Sequence, residues 1–392
     1  MSLVSLSDKI VFSALKNIEY GCIELKNFDG KIYKLGNENP NLKAKVIVNK
    51  PGFTLKILNK GSIGLAEAYM DGDFETDNLT NLIEISAKNI KKIHKFSGVL
   101  DLPLLNYLKN FFIKNTKKRS KENIAKHYDL GNEFFSLWLD KTLTYSSAIF
   151  DNDRLDLESG QINKYKKLSN LVNPKPGDKI LEIGCGWGGF AEFVGKNYDV
   201  HLDCITISKK QYEYARERIF KNGLNEKVNI KMLDYRDVKK KYNSIASIEM
   251  IEAVGQNYLP SYFKKIKENL VGNGKAAIQA ITIDDNLYDR YRSKQDFIQK
   301  YIFPGGFLPC KKSLVNFANK NGLHFDKCNS YGLHYSNTLM IWRDAFLKKW
   351  ELISDQGFDL NFKRMWDFYL SYCEAGFKSK NIDLIQFSLQ NK

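Results

Sequence analysis

Apolar residues recur at helical spacing near the start of the chain (Leu3, Val4, Ile10, Val11, Ala14, Leu15, Ile18) and predict an amphipathic helix over residues 3–18. Alternating or aromatic-rich pieces follow at 22–25, 43–48 and 53–57, set apart by Asp29-Gly30, Gly36 and Pro51-Gly52, and read as part of a small α+β domain. From residue 179 the pattern changes. Short β-branched runs at 179–183, 200–205, 228–232, 244–248 and 276–281 alternate with helical stretches at 190–197, 209–221 and 258–270. That alternation predicts an α/β fold, a parallel, Rossmann-like sheet covered by helices on both faces, with a ligand at the carboxyl ends of the strands. The expected organisation is an N-terminal α+β domain over 1–85, a linker over 86–122 and the α/β domain over 123–392.

The linker stands out by its charge. Between residues 86 and 122 lie ten Lys or Arg (among them Lys109, Lys114, Lys117, Lys118, Arg119) and only Asp101 and Glu122 as acids, interleaved with Leu104, Tyr107, Phe111 and Phe112. A basic, greasy stretch suits docking to an anionic membrane surface, where each cation adds about 1 kcal/mol; a solvated connector is the plainer interpretation. The whole chain carries 60 Lys and Arg against 45 Asp and Glu, a formal +15, so a negatively charged partner is expected. No apolar run approaches the roughly 18 residues of a spanning helix, and Asp8 and Lys9 stand where a secretion signal needs its apolar centre. The expectation is a cytoplasmic protein, peripherally associated with the inner membrane face. Its six cysteines are dispersed and form no CxxC pair, which points to buried thiols and to no metal site.

The most specific local signal is Leu181-Glu182-Ile183-Gly184-Cys185-Gly186-Trp187-Gly188-Gly189, where a strand gives way to a helix. Gly184 and Gly186 allow a tight turn and close backbone approach to a ligand. Gly184, Gly186 and Gly189 also satisfy the dinucleotide pattern. A nicotinamide fold, however, opens its domain with this loop and closes its second strand with an acid; here that strand ends in Thr206-Ile207-Ser208, with Asp203 inside it. Glu182 before the glycines and Asp234-Tyr235-Arg236 after the third strand resemble class I S-adenosylmethionine-dependent methyltransferases, which hold an amino-acid tail, a ribose and an adenine in these places.

Further segments narrow the match. They are His127-Tyr128-Asp129-Leu130-Gly131-Asn132-Glu133-Phe134-Phe135, Leu143-Thr144-Tyr145-Ser146-Ser147, Thr206-Ile207-Ser208-Lys209-Lys210-Gln211, Ser247-Ile248-Glu249-Met250-Ile251-Glu252-Ala253-Val254-Gly255, Tyr301-Ile302-Phe303-Pro304-Gly305-Gly306, His334-Tyr335-Ser336-Asn337-Thr338-Leu339 and Trp366-Asp367-Phe368-Tyr369-Leu370. Together they closely resemble the cyclopropane-fatty-acyl-phospholipid synthase family from about residue 120 onward, and residues 61–72 resemble its N-terminal domain. The resemblance implies transfer of the methyl of S-adenosylmethionine to the double bond of an unsaturated phospholipid acyl chain, giving a cyclopropane. Carried over by position, Tyr145, Ser146, Glu182, Gly184, Cys185, Gly186, Trp187, Gly188, Thr206, Ile207, Gln211, Asp234, Tyr235 and Arg236 form the cofactor site. For Thr206 and Gln211 the plainer role is capping the following helix; for Tyr145 and Tyr235 it is aromatic packing.

An alkene is a feeble nucleophile, and its methylation leaves a carbocation that water would quench, so the pocket has to be dry and lined with aromatic faces. The 25 Phe, 21 Tyr and 5 Trp permit this. Ring closure then needs a base, which in the family is a bicarbonate held by a cysteine, a glutamate, a histidine and a tyrosine. This chain keeps Glu252 and Tyr335, but Ser147 stands for the cysteine and Gln279 for the histidine, and Ala253 replaces a histidine that commonly follows the glutamate. These departures count against bicarbonate. Glu249, where the family often has a small residue, offers a built-in carboxylate base with its pKa raised by a dry pocket; an exposed acid or half of a salt bridge is the plainer role. Losing or moving the base would redirect the cation to a methyl-branched chain, with a redox partner where reduction is needed. Cys373 matches a cysteine proposed as an active-site residue in the family, although its apolar neighbours place it in a core.

Two other classes remain to be weighed. One is a lipid-binding relative without turnover. The other is a nucleic-acid methyltransferase, against which stands Glu249-Met250-Ile251-Glu252 where such enzymes carry Pro-Pro-Tyr or Pro-Cys. The N-terminal domain is expected either to present lipid or to mediate a homodimer.

Overall fold

The computed structural model describes residues 3–37, 41–90, 130–151 and 156–391. The basic stretch from 91 to 122 and residues 127–129 lie outside them.

The N-terminal unit begins with a helix, Leu3–Lys16, whose Val11, Phe12 and Ala14 are buried against a four-stranded sheet. Its strands are β1 (Cys22–Lys26), β2 (Ile32–Gly36), β3 (Lys43–Val48) and β4 (Phe74–Thr76), in the order β2-β1-β3-β4. β3 buries every second residue, as period-two patterning demands. Residues 53–57 are not a strand. They open the helix Phe53–Lys60, because Phe53/Ile57 and Thr54/Leu58 are also spaced by four, and a helix lets Thr54 reach Ser7 (2.7 Å) and Asp8 (2.6 Å) on the first helix.

The large sheet holds β5 (Lys179–Ile183), β6 (His201–Thr206), β7 (Val228–Met232), β8 (Tyr242–Ile248), β9 (Leu270–Ile283), β10 (Leu323–Ser330) and β11 (Ile382–Asn391). Their order is β10-β11-β9-β8-β5-β6-β7. β5 to β9 run parallel to one another, as expected, but β11 enters between β9 and β10 antiparallel to both, so the sheet is mixed. The chain reaches that position from the C-terminal end of the helix Leu360–Lys378 by a short turn, which places β11 as a long buried partner of β9.

The helices Ser62–Met70 and Leu79–Lys88 pack on Leu360–Lys378 and join the two units. Polar locks cross the join: Tyr69 OH donates to Asp367 Oδ2 (2.7 Å), Thr80 Oγ1 to Glu374 Oε2 (2.9 Å), and both Lys300 Nζ (2.6 Å) and Tyr301 OH (2.8 Å) to Glu67 Oε1. Among the described residues no helix is long and apolar enough to cross a membrane.

Candidate active site

At the carboxyl end of β5 the backbone turns through Gly184 (φ 83°) and Gly186 (φ 52°), both in the left-handed region. A Cβ on Gly184 would lie 2.8 Å from Met250 Cγ, and one on Gly186 would meet nothing within 4 Å. The loop therefore presses against the residue after Glu249 on one side and faces open space on the other. That space is a cavity of about 1030 Å³, lined by Gly184, Gly186, Thr206, Gln211 and Tyr235 at one end. It continues between the two units to Val11, Ala14, Ile57 and Leu82 of the N-terminal domain.

Most of the expected cofactor residues meet here, including Tyr145, Ser146, Cys185, Trp187, Ile207, Asp234 and Arg236. Gly188 does not. It caps the helix Gly189–Asn197, and its Cα faces Ala215 of the helix Lys209–Lys221. Cys185 touches the cavity, but its thiol packs in the core and burial pushes it well up, while its N–H is spent on Ile205 O (3.1 Å). Ser208 caps Lys209–Lys221, so Thr206 is released from that task and bonds Gln211 Oε1 at 3.1 Å. Trp187 Nε1 donates to Asn132 Oδ1 (2.8 Å), tying the segment around residue 132 to the glycine loop.

Glu182 is buried, burial pushes its carboxyl up to about 7, and its Oε2 has no partner among the described residues. A buried carboxylate oxygen without a donor, beside an open glycine turn, fits the ammonium of an amino-acid tail. Asp234 is gripped by Arg236 through Nε (2.8 Å) and Nη2 (2.6 Å), which holds Tyr235 at the cavity wall. The residues present thus fit S-adenosylmethionine.

The second cluster centres on Glu249. It follows β8 directly, with φ 48°, a left-handed conformation that costs a non-glycine residue about 1–2 kcal/mol. Its carboxylate is half-buried at the cavity wall and accepts from three donors. Oε1 accepts from Ser147 N (3.0 Å) and Gln279 Nε2 (2.7 Å), and Oε2 accepts from Tyr335 OH (2.7 Å). Burial pushes the carboxyl up, and those donors, with the charge of Lys164, pull it back down. It is neither an exposed loop acid nor half of a surface salt bridge. Ser147 and Gln279 do not line the cavity. They stand behind Glu249, and Ser147 serves through its N–H, its hydroxyl being turned to Ala148 O (2.8 Å).

Three of the four positions to which the resemblance assigns bicarbonate therefore donate to a carboxylate the chain supplies itself, so those three donors are already taken. The fourth, Glu252, accepts from Ile281 N (2.5 Å) and leaves Oε2 without a partner among the described residues. Burial, with the charge of Glu249 added, pushes it up to about 8, which favours its protonated form.

Rings close the rest of the wall. Tyr145 lies within 5.7 Å of Phe135, Trp138 and Trp342 and shares a 2.8 Å hydrogen bond with Tyr369 OH, which faces Phe303. Cys373 also lines the cavity, but burial pushes its thiol far above neutrality, so it is no nucleophile. Sequence reading missed Gln161, Lys164 and Gln386, which support Glu249 from outside the cavity; nothing in their local sequence distinguishes them.

A family model described as mycolic acid cyclopropane synthetase matches residues 115–387, and a domain of unknown function (DUF7884) matches residues 10–96. The cyclopropane-fatty-acyl-phospholipid synthase of Escherichia coli strain K12 is 35% identical over 381 residues, 93% of this chain and 95% of its own. A tuberculostearic acid methyltransferase of Mycobacterium tuberculosis is 34% identical over 363 residues, 90% of this chain and 84% of its own. Among solved structures, the mycolic acid cyclopropane synthase CmaA1 complexed with SAH and CTAB superposes with a TM-score of 0.63 at 27% identity, over 69% of this chain and 98% of that one. With the glycine turn and the Glu182 and Glu249 carboxyls at the cavity wall in place, these matches establish that the chain belongs to the mycolic acid cyclopropane synthetase family of S-adenosylmethionine-dependent methyltransferases.

Proposed function

We propose that the protein methylates the double bond of an unsaturated acyl chain on a phospholipid and closes a cyclopropane ring, with Glu249 as the base in place of bicarbonate. The observation that carries this reading is the half-buried Glu249 carboxylate, held by three donors at the wall of an aromatic cavity next to the glycine loop. Glu182, Gly184, Gly186, Thr206, Gln211 and Tyr235 hold S-adenosylmethionine, which supplies an electrophilic methyl group. The acyl chain lies in the apolar cavity, whose far end belongs to the N-terminal domain. Tyr145, Tyr369 and Phe303, which line the cavity, exclude water and set electron-rich faces around the carbocation left on the chain. Glu249 removes a proton from the transferred methyl: the C–H bond breaks, its electron pair forms the third ring bond at the cationic carbon, and the proton stays on the carboxyl until product leaves.

The basic stretch of 86–122 brings this site to an anionic, inner-face membrane surface, and a homodimer would double its grip. Charge reversal of Lys117, Lys118 and Arg119 tests the contact: binding to phosphatidylglycerol vesicles falls, and unchanged binding removes the stretch from the model.

A methyl-branched product is the second reading, favoured by the 34% identity to a tuberculostearic acid methyltransferase. It requires the cation to lose a different proton, or a redox partner to finish the chain. Expression in a host fed methionine labelled on its methyl, with mass spectrometry of the lipids, separates the two. Label in a ring supports the cyclopropane; label in a branch supports the alternative; unlabelled lipids with cofactor bound would mean a binding protein.

A further inference from the structure

Both donors on Glu249 Oε1 are themselves held from behind by buried residues that do not line the cavity. Gln279 on β9 and Gln386 on β11 are directly opposed in the antiparallel ladder, so their side chains share one face of the sheet. Gln386 Nε2 donates to Gln279 Oε1 (2.9 Å) and to the carbonyl of Lys164 (3.3 Å). A carboxamide has two ends of nearly equal shape, and beside a carboxylate the wrong end is repulsive. By occupying the oxygen of Gln279, Gln386 leaves its NH2 facing Glu249.

The other donor, Ser147 N–H, is one end of a peptide whose carbonyl, Ser146 O, accepts from Gln161 Nε2 at 2.9 Å. Lys164 Nζ braces the same residue through Ser146 Oγ (2.7 Å) and holds Gln161 Oε1 (2.6 Å). Gln161 and Lys164 lie one turn apart on the helix Leu157–Val172, which packs on β9 and β11. Lys164 is completely buried with two neutral partners, and burial pushes its ammonium down to about 7. A lysine in such a place is costly to fold around and has a use there.

We infer that Gln386, Gln161 and Lys164 are positioning residues that pin Glu249 through its Oε1, so that Oε2, which among the described residues carries only the Tyr335 hydrogen bond, is the oxygen that takes the proton. This rests on Glu249 being the base.

The test uses the full chain with S-adenosylmethionine and vesicles of unsaturated phosphatidylglycerol. Glu249→Gln first tests the underlying reading, and ring formation is expected to disappear. Gln386→Met and Gln279→Met are then each expected to lower kcat about tenfold with KM for lipid within about twofold, and to move the acidic limb of kcat/KM up by about one pH unit. The charged and titratable groups facing Glu249 are Lys164, Glu252 and Tyr335, and all three are unchanged in these variants. A displaced base also leaves the cation to water, whose oxygen bonds the cationic carbon and whose proton goes to solvent, so a methyl-branched alcohol appears in the product. Because Gln386 acts through Gln279, the double variant matches Gln279→Met. Melting temperature and SAH affinity report folding; should Gln386→Met not fold, Gln161→Met probes the other arm with the same three expected changes. If Glu249→Gln still makes rings, the base assignment fails. If Glu249→Gln is dead while the Gln386 or Gln161 variants keep kcat, pH limb and product, or change melting temperature only, the positioning proposal is overturned.

Discussion

Replacing Glu249 by glycine separates its strained backbone from its carboxylate, the base of the proposed mechanism. Its φ of 48° is a conformation glycine adopts freely, so the substitution relieves about 1–2 kcal/mol of backbone strain. Against this, Ser147 N–H, Gln279 NH2 and Tyr335 OH lose the acceptor they share, at about 1–3 kcal/mol for each donor that no water reaches. The hole left is bounded by those donors and adjoins the cavity, so water entry offsets much of the loss and the variant is expected to fold. Catalysis does not survive as easily: removing a general base costs about 10²–10⁴ in rate. Three donors converging on a vacated carboxylate position also make a seat for a small trigonal anion. Activity of Glu249→Gly, assayed by ring formation in bicarbonate-depleted buffer, is therefore expected to fall at least about a hundredfold and to recover in part with millimolar formate or bicarbonate. Glu249→Gln keeps the bulk but sets an NH2 or a weakly basic oxygen against the same donors, and no anion is expected to rescue it. Activity of Glu249→Gly within about threefold of the parent without an added anion would refute the assignment, since the loss would fall below any general-base contribution.

Tyr335→Phe removes the hydrogen bond that Tyr335 OH donates to Oε2 of Glu249, and with charge-assisted bonds worth about 1.5–3 kcal/mol the expected result is a roughly ten- to hundredfold lower kcat/KM at neutral pH and an acidic limb displaced upward. Glu252 has a folded pKa near 8, above its unfolded value, so the folded chain holds a proton that the unfolded chain releases; its contribution to stability is present below the unfolded pKa and lost as pH rises toward 8. Urea titrations at pH 5, 6.5 and 8 should therefore show a shallower decline in Glu252→Gln than in the parent, and parallel declines would mean Glu252 is already ionised. Cys373→Ala is expected to keep kcat within about twofold, because a thiol held protonated by burial supplies no thiolate; a hundredfold loss would restore it as an active-site group.

What the sequence disclosed, and what it withheld, follows the range of the interactions involved. β5, β7 and the helix Lys209–Lys221 end where a reader would end them, because the glycines, the Ser208 cap and Asn222-Gly223 act within a few residues. The run 53–57 satisfies both periods at once, and only its contacts with Ser7 and Asp8, some 46 residues away, decide for the helix. β11 escapes because Gln386 and Ser388 are polar yet buried, breaking the apolar run that marks an interior strand. The glycine turn was legible for the same local reason as the caps. The support of Glu249 was not: Lys164 reads as one more cation in Asn163-Lys164-Tyr165-Lys166-Lys167, and its meeting with Gln386 spans 222 residues. Glu249 itself lay between these extremes. A carboxylate at the end of β8 was visible, but whether it was a base or a solvated acid turned on partners at Ser147, Gln279 and Tyr335, brought together by three separate elements. The departures at Ser147 and Gln279, taken one at a time, looked like the loss of an anion's ligands. Around Glu249 they join: the Ser147 N–H and the Gln279 NH2 both donate to its Oε1, and that shared acceptor is what supports reading the carboxylate as the anion's substitute.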